Sequence, residues 1–253
     1  MPVALENITK AIGVVVHSSK AYVCVMQLHG DVGLEEIKSV ASEFTGTIYQ
    51  RPPVRSNVRR ALRLRSVFSI DVLETRDRLV LLRIESDPGT YMRKLCWDMG
   101  LVLGAGAHMR ELRRIKSGPF TEDNNLVTLH QISEAVFRWR EEGKDDMLRK
   151  AIMPGEVVMC EMPKIVLRDT AVESVVNGAY LAVPGIAMLT DDIKRGSPVA
   201  MFTLKGELVG LGEAIMDASE VIKSERGIAA KPKRIVMPHG VYPRAWGKVS
   251  KPK

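Results

Sequence analysis

Arginine is the chemically loaded residue of this sequence. Between Thr47 and Ile70 there are six arginines (Arg51, Arg55, Arg59, Arg60, Arg63 and Arg65) and no acidic residue. A guanidinium is a planar fork that matches phosphate oxygens two at a time, so an arginine-only run points to RNA or DNA. Lysine would serve equally well if solubility were the only need. The plainer alternative is a solvated face. A second cluster holds Arg110, Arg113, Arg114 and Lys116, opposed only by Glu111. A third runs from Arg226 to Lys253, with eight basic residues and no acid. The stretches 47–70 and 226–253 together carry +14 and the remainder −7, giving the net +7 of the chain. Each cation that meets a phosphate releases counterions, so separate basic stretches suit a long polyanion.

Three short motifs sit among these cations. Tyr49-Gln50-Arg51-Pro52-Pro53 reads as an extended, proline-stiffened arm whose arginines could follow a nucleic-acid backbone, or as a simple surface loop. Gly89-Thr90-Tyr91-Met92-Arg93 places an arginine just inside a helix start, where backbone amides and guanidinium together favour an anion. Taken alone, it is also what a turn glycine and a surface arginine look like. Leu112-Arg113-Arg114-Ile115-Lys116 reads as a strand, so its paired arginines face opposite sides. His108 has no ligand-spaced Cys or His beside it and reads as a structural, hydrogen-bonded histidine.

The elements that must carry these motifs follow from periodicity. Strands are expected over Tyr22–Leu28, Val67–Leu73, Leu79–Glu85 and Met109–Ser117. Helices are expected from Leu34 to Phe44, stopped by Gly46, and from Thr90 to Leu103. Thr128 with Gln131 forms a capping-box pattern for a further helix, and Thr170 with Glu173 a second, with Gly178 placed as its C′ glycine. Val199–Leu204 and Glu207–Ala214 read as a hairpin, and a last strand is expected over Lys233–Met237. The 253 residues therefore divide into domains 1–155 and 163–240, followed by a basic tail at 241–253. No apolar stretch is long enough to cross a membrane and no secretory signal is visible, so a cytoplasmic location is expected. Cys24, Cys96 and Cys160 form neither a disulfide framework nor a metal pair and are expected to be buried free thiols. No metal or cofactor is implied.

In order along the chain, Lys20-Ala-Tyr22, Thr45-Gly-Thr-Ile-Tyr-Gln-Arg-Pro-Pro53, Gly89-Thr-Tyr-Met-Arg93 and Leu112-Arg-Arg-Ile-Lys-Ser-Gly-Pro-Phe120 resemble the pseudouridine synthases of the tRNA pseudouridine synthase B type. The match is to their archaeal, dyskerin-like branch, which works with H/ACA guide RNA. Asp169-Thr-Ala-Val172, Asn177-Gly-Ala-Tyr-Leu-Ala-Val-Pro-Gly185, Lys205-Gly-Glu-Leu-Val-Gly210 and Arg234-Ile-Val-Met-Pro238 resemble the family's PUA domain. The fold implied is α+β. It comprises the C-terminal part of a pseudouridine synthase catalytic domain, with a mixed, largely antiparallel sheet and flanking helices, and then a small β-rich PUA domain.

The resemblance also implies a chemistry. Family members detach a uracil in RNA and rejoin it through carbon, without a cofactor. By motif position, Tyr22 resembles the tyrosine that stacks on the flipped-out base, Arg93 the arginine that pairs with a nucleophilic aspartate, and Leu112 an apolar lining of the uridine pocket. RNA contacts are expected from Lys20, Arg51, Arg55, Arg59, Arg60, Arg113, Arg114 and Lys116. In the PUA domain they are expected from Gly178, Leu181, Pro184 and Gly185, where turn or core roles are the competing readings. The implied partners are an H/ACA guide RNA, an rRNA or tRNA substrate and small protein subunits. Met1-Pro-Val-Ala-Leu5 looks like the segment that follows the family's Gly-Thr-Leu-Asp-Pro-like loop. No aspartate here occupies the nucleophile motif, with Asp87 and Asp98 the nearest stand-ins. The chain alone is therefore expected to be inactive, and the implied partners include a complementing N-terminal fragment. Two alternatives stay open: a non-catalytic RNA-binding scaffold, and a generic polyanion-binding protein.

Overall fold

The computed structural model describes residues 1–52, 58–122 and 126–243. They form two compact units. One comprises Met1–Pro2 with Val15–Lys144, the other Val3–Val14 with the chain from Asp145 onward. The chain enters the first sheet after helix α1 (Ile12–His17). There follow strand β1 (Lys20–Leu28), helix α2 (Leu34–Glu43), strands β2 (Gly46–Gln50), β3 (Arg63–Arg76) and β4 (Leu79–Ser86), helix α3 (Met92–Val102), strands β5 (Ala107–Ser117) and β6 (Phe120–Thr121), and helix α4 (Leu129–Glu142). The strand order is β2-β3-β4-β1-β5-β6, and every adjacent pair is antiparallel.

Period-two alternation decides which face of β1 is buried. Cys24, Met26 and Leu28 point to one side and join Ile37, Val40 and Ala41 of α2 with Leu95, Cys96 and Met99 of α3 in one core. β3 is longer than the expected Val67–Leu73 because it pairs with β2 over Arg63–Val67 and with β4 from Val67 onward. α4 carries the predicted capping box. Thr128 Oγ1 accepts from Gln131 N at 3.2 Å, while Thr128 N donates to Gln131 Oε1 at 2.7 Å.

The second unit continues with helix α5 (Asp146–Ala151), strand β7 (Lys164–Leu167), helix α6 (Asp169–Val176), strands β8 (Leu181–Ala182), β9 (Ile186–Leu189), β10 (Pro198–Thr203) and β11 (Leu208–Ala214), helix α7 (Ala218–Lys223) and strand β12 (Ile228–Ile235). Its sheet runs β8-β12-β11-β10-β7-β9. The parallel pairing implied for the catalytic sheet is found here instead, between β7 and β10.

Several expectations change in this unit. The chain passes from one compact unit to the other at Lys144–Asp145, and Val3–Val14 packs with the second one. Ile8 lies where a side chain on Gly155 would have to go, 2.7 Å from a built Cβ, and Arg234 Nη1 donates to Lys10 O at 3.1 Å. The Thr170–Glu173 capping box does not form. α6 starts two residues earlier, at Asp169 with Arg168 as its N-cap, and Glu173 turns inward to 3% exposure. There its carboxylate accepts from Asn177 Nδ2 at 2.9 Å and from Gly240 N at 3.2 Å. Tyr242, placed in the basic tail by its sequence position, is buried and donates to Glu207 Oε2 at 2.7 Å. Residues 244–253 of that tail lie outside the described residues. Cys24 and Cys96 are buried free thiols, but Cys160 is exposed. Among the described residues, no helix is long and apolar enough to cross a membrane.

Candidate functional site

Register places three of the singled-out residues on one face of the first sheet. On β5, Arg114 is paired with Tyr22 of β1 and Leu112 with Cys24. Cross-strand partners share a face, so Tyr22, Arg114 and Leu112 lie together on the side that carries α3. Tyr22 is half-buried and Leu112 is exposed to 42%. The Arg114 guanidinium lies over the Tyr22 ring, 5.6 Å from its centroid.

Arg93 comes to the same end of the sheet through α3. Cys96 Sγ lies 3.5 Å from Cys24 Sγ. One turn on, a Cβ on Gly100 would meet Ala107, which is the partner of Leu28. α3 therefore runs alongside β1 in the same direction, and its first turn lies at the Tyr22 end. Arg93 is exposed there, and its guanidinium forms no hydrogen bond or ion pair among the described residues. Contact with Cys24 and burial push the Cys96 thiol up, so it stays protonated as core filling.

The start of α3 is fixed by residues far away in sequence. Gln50, 2% exposed at the end of β2, accepts from Tyr91 N through Oε1 at 2.9 Å and donates to Tyr91 O through Nε2 at 3.4 Å. Asp87 accepts from Ser66 N at 2.9 Å through Oδ2, and its carbonyl accepts from Thr90 Oγ1 at 2.9 Å. Sequence reasoning missed Gln50, although it sits inside the proline-arm motif. Asp87 and Asp98 are both committed, the first to this turn and the second to an ion pair with Lys94. Neither is a free carboxylate beside Tyr22.

The remaining cations divide by what they touch. Lys20 is a correction to the RNA-binding set. It is 6% exposed, and its ammonium donates to the carbonyls of Val15, Val16 and Ser18, capping the end of α1. Burial, and then repulsion from Arg114, lower its proton affinity. Arg113 is ion-paired to Glu122 at 2.7 Å, and Lys116 to Glu85 at 2.9 Å. Arg51, Arg59 and Arg60 are exposed, and Arg60 Nε donates to Pro52 O at 3.4 Å. Arg51 borders an open cavity of about 580 Å³ lined also by Phe44, Ile48, Tyr49, Lys94 and Leu101. Arg55 lies outside the described residues. In the second unit, Gly178 takes φ +91° just past α6, as a C′ glycine does, and Pro184 is exposed. Leu181 is 1% exposed and belongs to the core, so its side chain cannot reach a ligand. Gly185 is small for packing, since a Cβ there would lie 2.8 Å from Ala171 Cβ.

Glu85 yields a pH prediction. Its hydrogen bond to Lys116 holds its carboxyl below the ordinary value of 4.5. A depressed carboxylate stabilises the fold above its unfolded pKa, and that stability is lost as pH falls through the folded value. Glu85→Gln should therefore reduce the acid loss of stability, by less than about 1 kcal/mol for a partly exposed pair. Urea midpoints near neutrality and near pH ~3 measure this. An unchanged acid loss in the variant would show that the pair is not formed.

Among the described residues, no three His, Cys, Asp or Glu side chains converge on a point where a metal could sit.

Comparison with known proteins covers nearly the whole chain. Residues 93–159 match the model of the tRNA pseudouridylate synthase B C-terminal domain, and residues 163–236 that of the PUA domain. Residues 4–100 match the C-terminal model of Pus10. A probable tRNA pseudouridine synthase B of Sulfurisphaera tokodaii is 50% identical over 248 residues, covering 98% of this chain and 73% of the relative. One from Saccharolobus solfataricus is 47% identical and is covered to 98% of its own length. The crystal structure of a Cbf5-Nop10-Gar1 complex superposes with a TM-score of 0.92 at 48% identity, covering 96% of this chain and 74% of that one. A structure of an H/ACA RNP bound to a substrate RNA containing 2'-deoxyuridine gives a TM-score of 0.90 at 45% identity, over 96% and 74% of the two chains. The motif order, the antiparallel sheet packed on α2 and α3, and these similarities lead to one assignment: the chain belongs to the tRNA pseudouridine synthase B family of archaeal type, with a PUA domain.

Proposed function

We propose that this chain takes part in the isomerisation of uridine to pseudouridine in RNA, directed by an H/ACA guide RNA. The observation that carries the reading is the exposed Arg93 guanidinium in the first turn of α3, at the Tyr22 end of the sheet and without an ion pair among the described residues. A uridine must leave its stack before its glycosidic bond is reachable, and an aromatic face offsets part of the stacking it loses. Tyr22 offers that face and Leu112 an apolar wall. A guanidinium beside a carboxylate keeps it ionised and oriented for nucleophilic or proton-handling work. We assign that task to Arg93. The carboxylate itself is supplied by a segment with a Gly-Thr-Leu-Asp-Pro-like loop, which has no counterpart in residues 1–253. Arg51, Arg55, Arg59, Arg60 and Arg114 then line the RNA path. Arg113 and Lys116 reach it only by releasing their carboxylates. Residues 1–155 are read as the catalytic part. The PUA domain, within 163–240, holds an RNA end near Gly178 and Pro184, with rRNA or tRNA as substrate. Because its structural neighbours include a complex with Nop10 and Gar1, we place the chain in a ribonucleoprotein with small protein subunits, and we assign it to the cytoplasm as a separate part of the proposal.

The test is uridine isomerisation in a guide-paired substrate RNA, with and without a polypeptide carrying the aspartate loop. Conversion should require the loop polypeptide and should be abolished by Tyr22→Ala. Conversion that survives both Tyr22→Ala and Arg93→Ala would overturn the reading.

A further inference from the structure

The cations of β5 differ in what they touch, and Arg110 Nη1 donates to Gln27 Oε1 at 3.3 Å. Arg113 and Lys116 each have a carboxylate partner. The Arg114 guanidinium has none among the described residues, and its recorded contact is the ring of Tyr22. It is exposed, so water does not force it onto the ring, and Lys20 nearby repels it. What holds it there is the ring face itself, within the ~6 Å over which a cation is attracted to an aromatic quadrupole.

We propose that Arg114 is a place-holder for the target base. In the free protein it covers the face of Tyr22 on which a flipped uracil stacks. The base displaces it, and the freed guanidinium turns to a phosphate flanking the flipped nucleotide. This deepens the reading of Tyr22 as the base-stacking residue and rests on it. The exchange is favourable because stacking a base on an aromatic ring is worth more than an exposed cation–π contact. It also makes the pocket selective for occupancy, since an empty site keeps its ring covered and its cation off the backbone.

The experiment compares two RNAs bound to the full chain, read by fluorescence anisotropy. One is the guide-paired substrate RNA, and the other is the same RNA abasic at its one unpaired uridine. The ratio of the two affinities isolates what the base contributes. In the unsubstituted chain the uridine RNA should bind at least about fivefold tighter. Arg114→Ala should leave the abasic RNA within about twofold, because in that complex the guanidinium stays on the ring, and should weaken the uridine RNA about two- to fivefold through the lost phosphate contact, so that the ratio falls. A ratio unchanged by Arg114→Ala, with both affinities reduced alike, overturns the place-holder and leaves a plain phosphate contact. Tyr22→Ala tells the two levels apart. If it brings the ratio toward one, the base does stack on Tyr22 and only the Arg114 result decides. If it leaves the ratio intact, the Tyr22 reading fails, and the place-holder with it.

Discussion

Gly100→Ala should destabilise the first unit by about 3–5 kcal/mol, at the upper end of what one methyl group does. By helix propensity alone the change would stabilise α3 by roughly 1 kcal/mol, so even its sign depends on tertiary packing. The added Cβ would lie 2.1 Å from Ala107 N and 2.7 Å from Gly106 C. Both are backbone atoms, and they belong to the turn that starts β5, so no side-chain rotation relieves the clash. Gly106 N also donates to Gly100 O at 2.8 Å, which ties the helix to that turn. Gly33→Ala is the control, with no neighbour within 4 Å of the new methyl and no positive φ. Urea unfolding of the two variants should separate them clearly. A neutral or stabilised Gly100→Ala would mean that α3 does not sit on Ala107, and the argument that delivers Arg93 to Tyr22 would go with it.

The placement of Arg93 depends on contacts that no local pattern reveals. The alternation of Tyr22–Leu28 predicts a strand with one buried face, because a period of two is a local property. The helix over Thr90–Leu103 is equally local. Which turn of the helix meets which residue of the strand is not local. It is set by Cys24 against Cys96, 72 positions apart. Gln50 illustrates the same limit. An amide between a tyrosine and an arginine in an exposed-looking arm reads as surface, yet its partner is the backbone of Tyr91, 41 positions on. Lys20 departs from its motif reading for the opposite reason. Its partners are only two to five residues back, and a lysine just after a short helix is a familiar cap for the last carbonyls. Motif position suggested RNA, whereas local geometry assigned the ammonium to the backbone. Glu173 followed a capping-box spacing, but a spacing does not fix where the helix begins. Arg168 N is already held by Gly185 O at 2.8 Å, and α6 starts before Thr170 could cap it.

The largest functional effect is expected at Arg93. Supplied with the aspartate-loop polypeptide, the Arg93→Ala chain should lose at least about a hundredfold in the rate of uridine isomerisation, with RNA affinity changed far less. The guanidinium is exposed and has no ion pair among the described residues, so removing it costs the fold little, and the loss falls on the chemical step. Arg93→Lys should recover only part of the rate, since an ammonium keeps the charge but not the two-pronged geometry that orients a carboxylate. Gln50→Ala is the companion variant. It leaves Arg93 in place but frees the first turn of α3 by removing both bonds to Tyr91, one of them to a backbone amide that loses its partner. Its stability cost should be about 1–3 kcal/mol. Its rate should fall about tenfold, less than for Arg93→Ala, and Gln50→Glu should restore little, because a carboxylate can accept from Tyr91 N but cannot donate to Tyr91 O. Single-turnover rates and binding isotherms on the same RNA distinguish the two roles. If Arg93→Ala weakens binding by as much as it slows conversion, the guanidinium is one more phosphate contact. A selective loss of rate, shared in smaller measure by Gln50→Ala, is what a residue aimed at the reacting carboxylate requires.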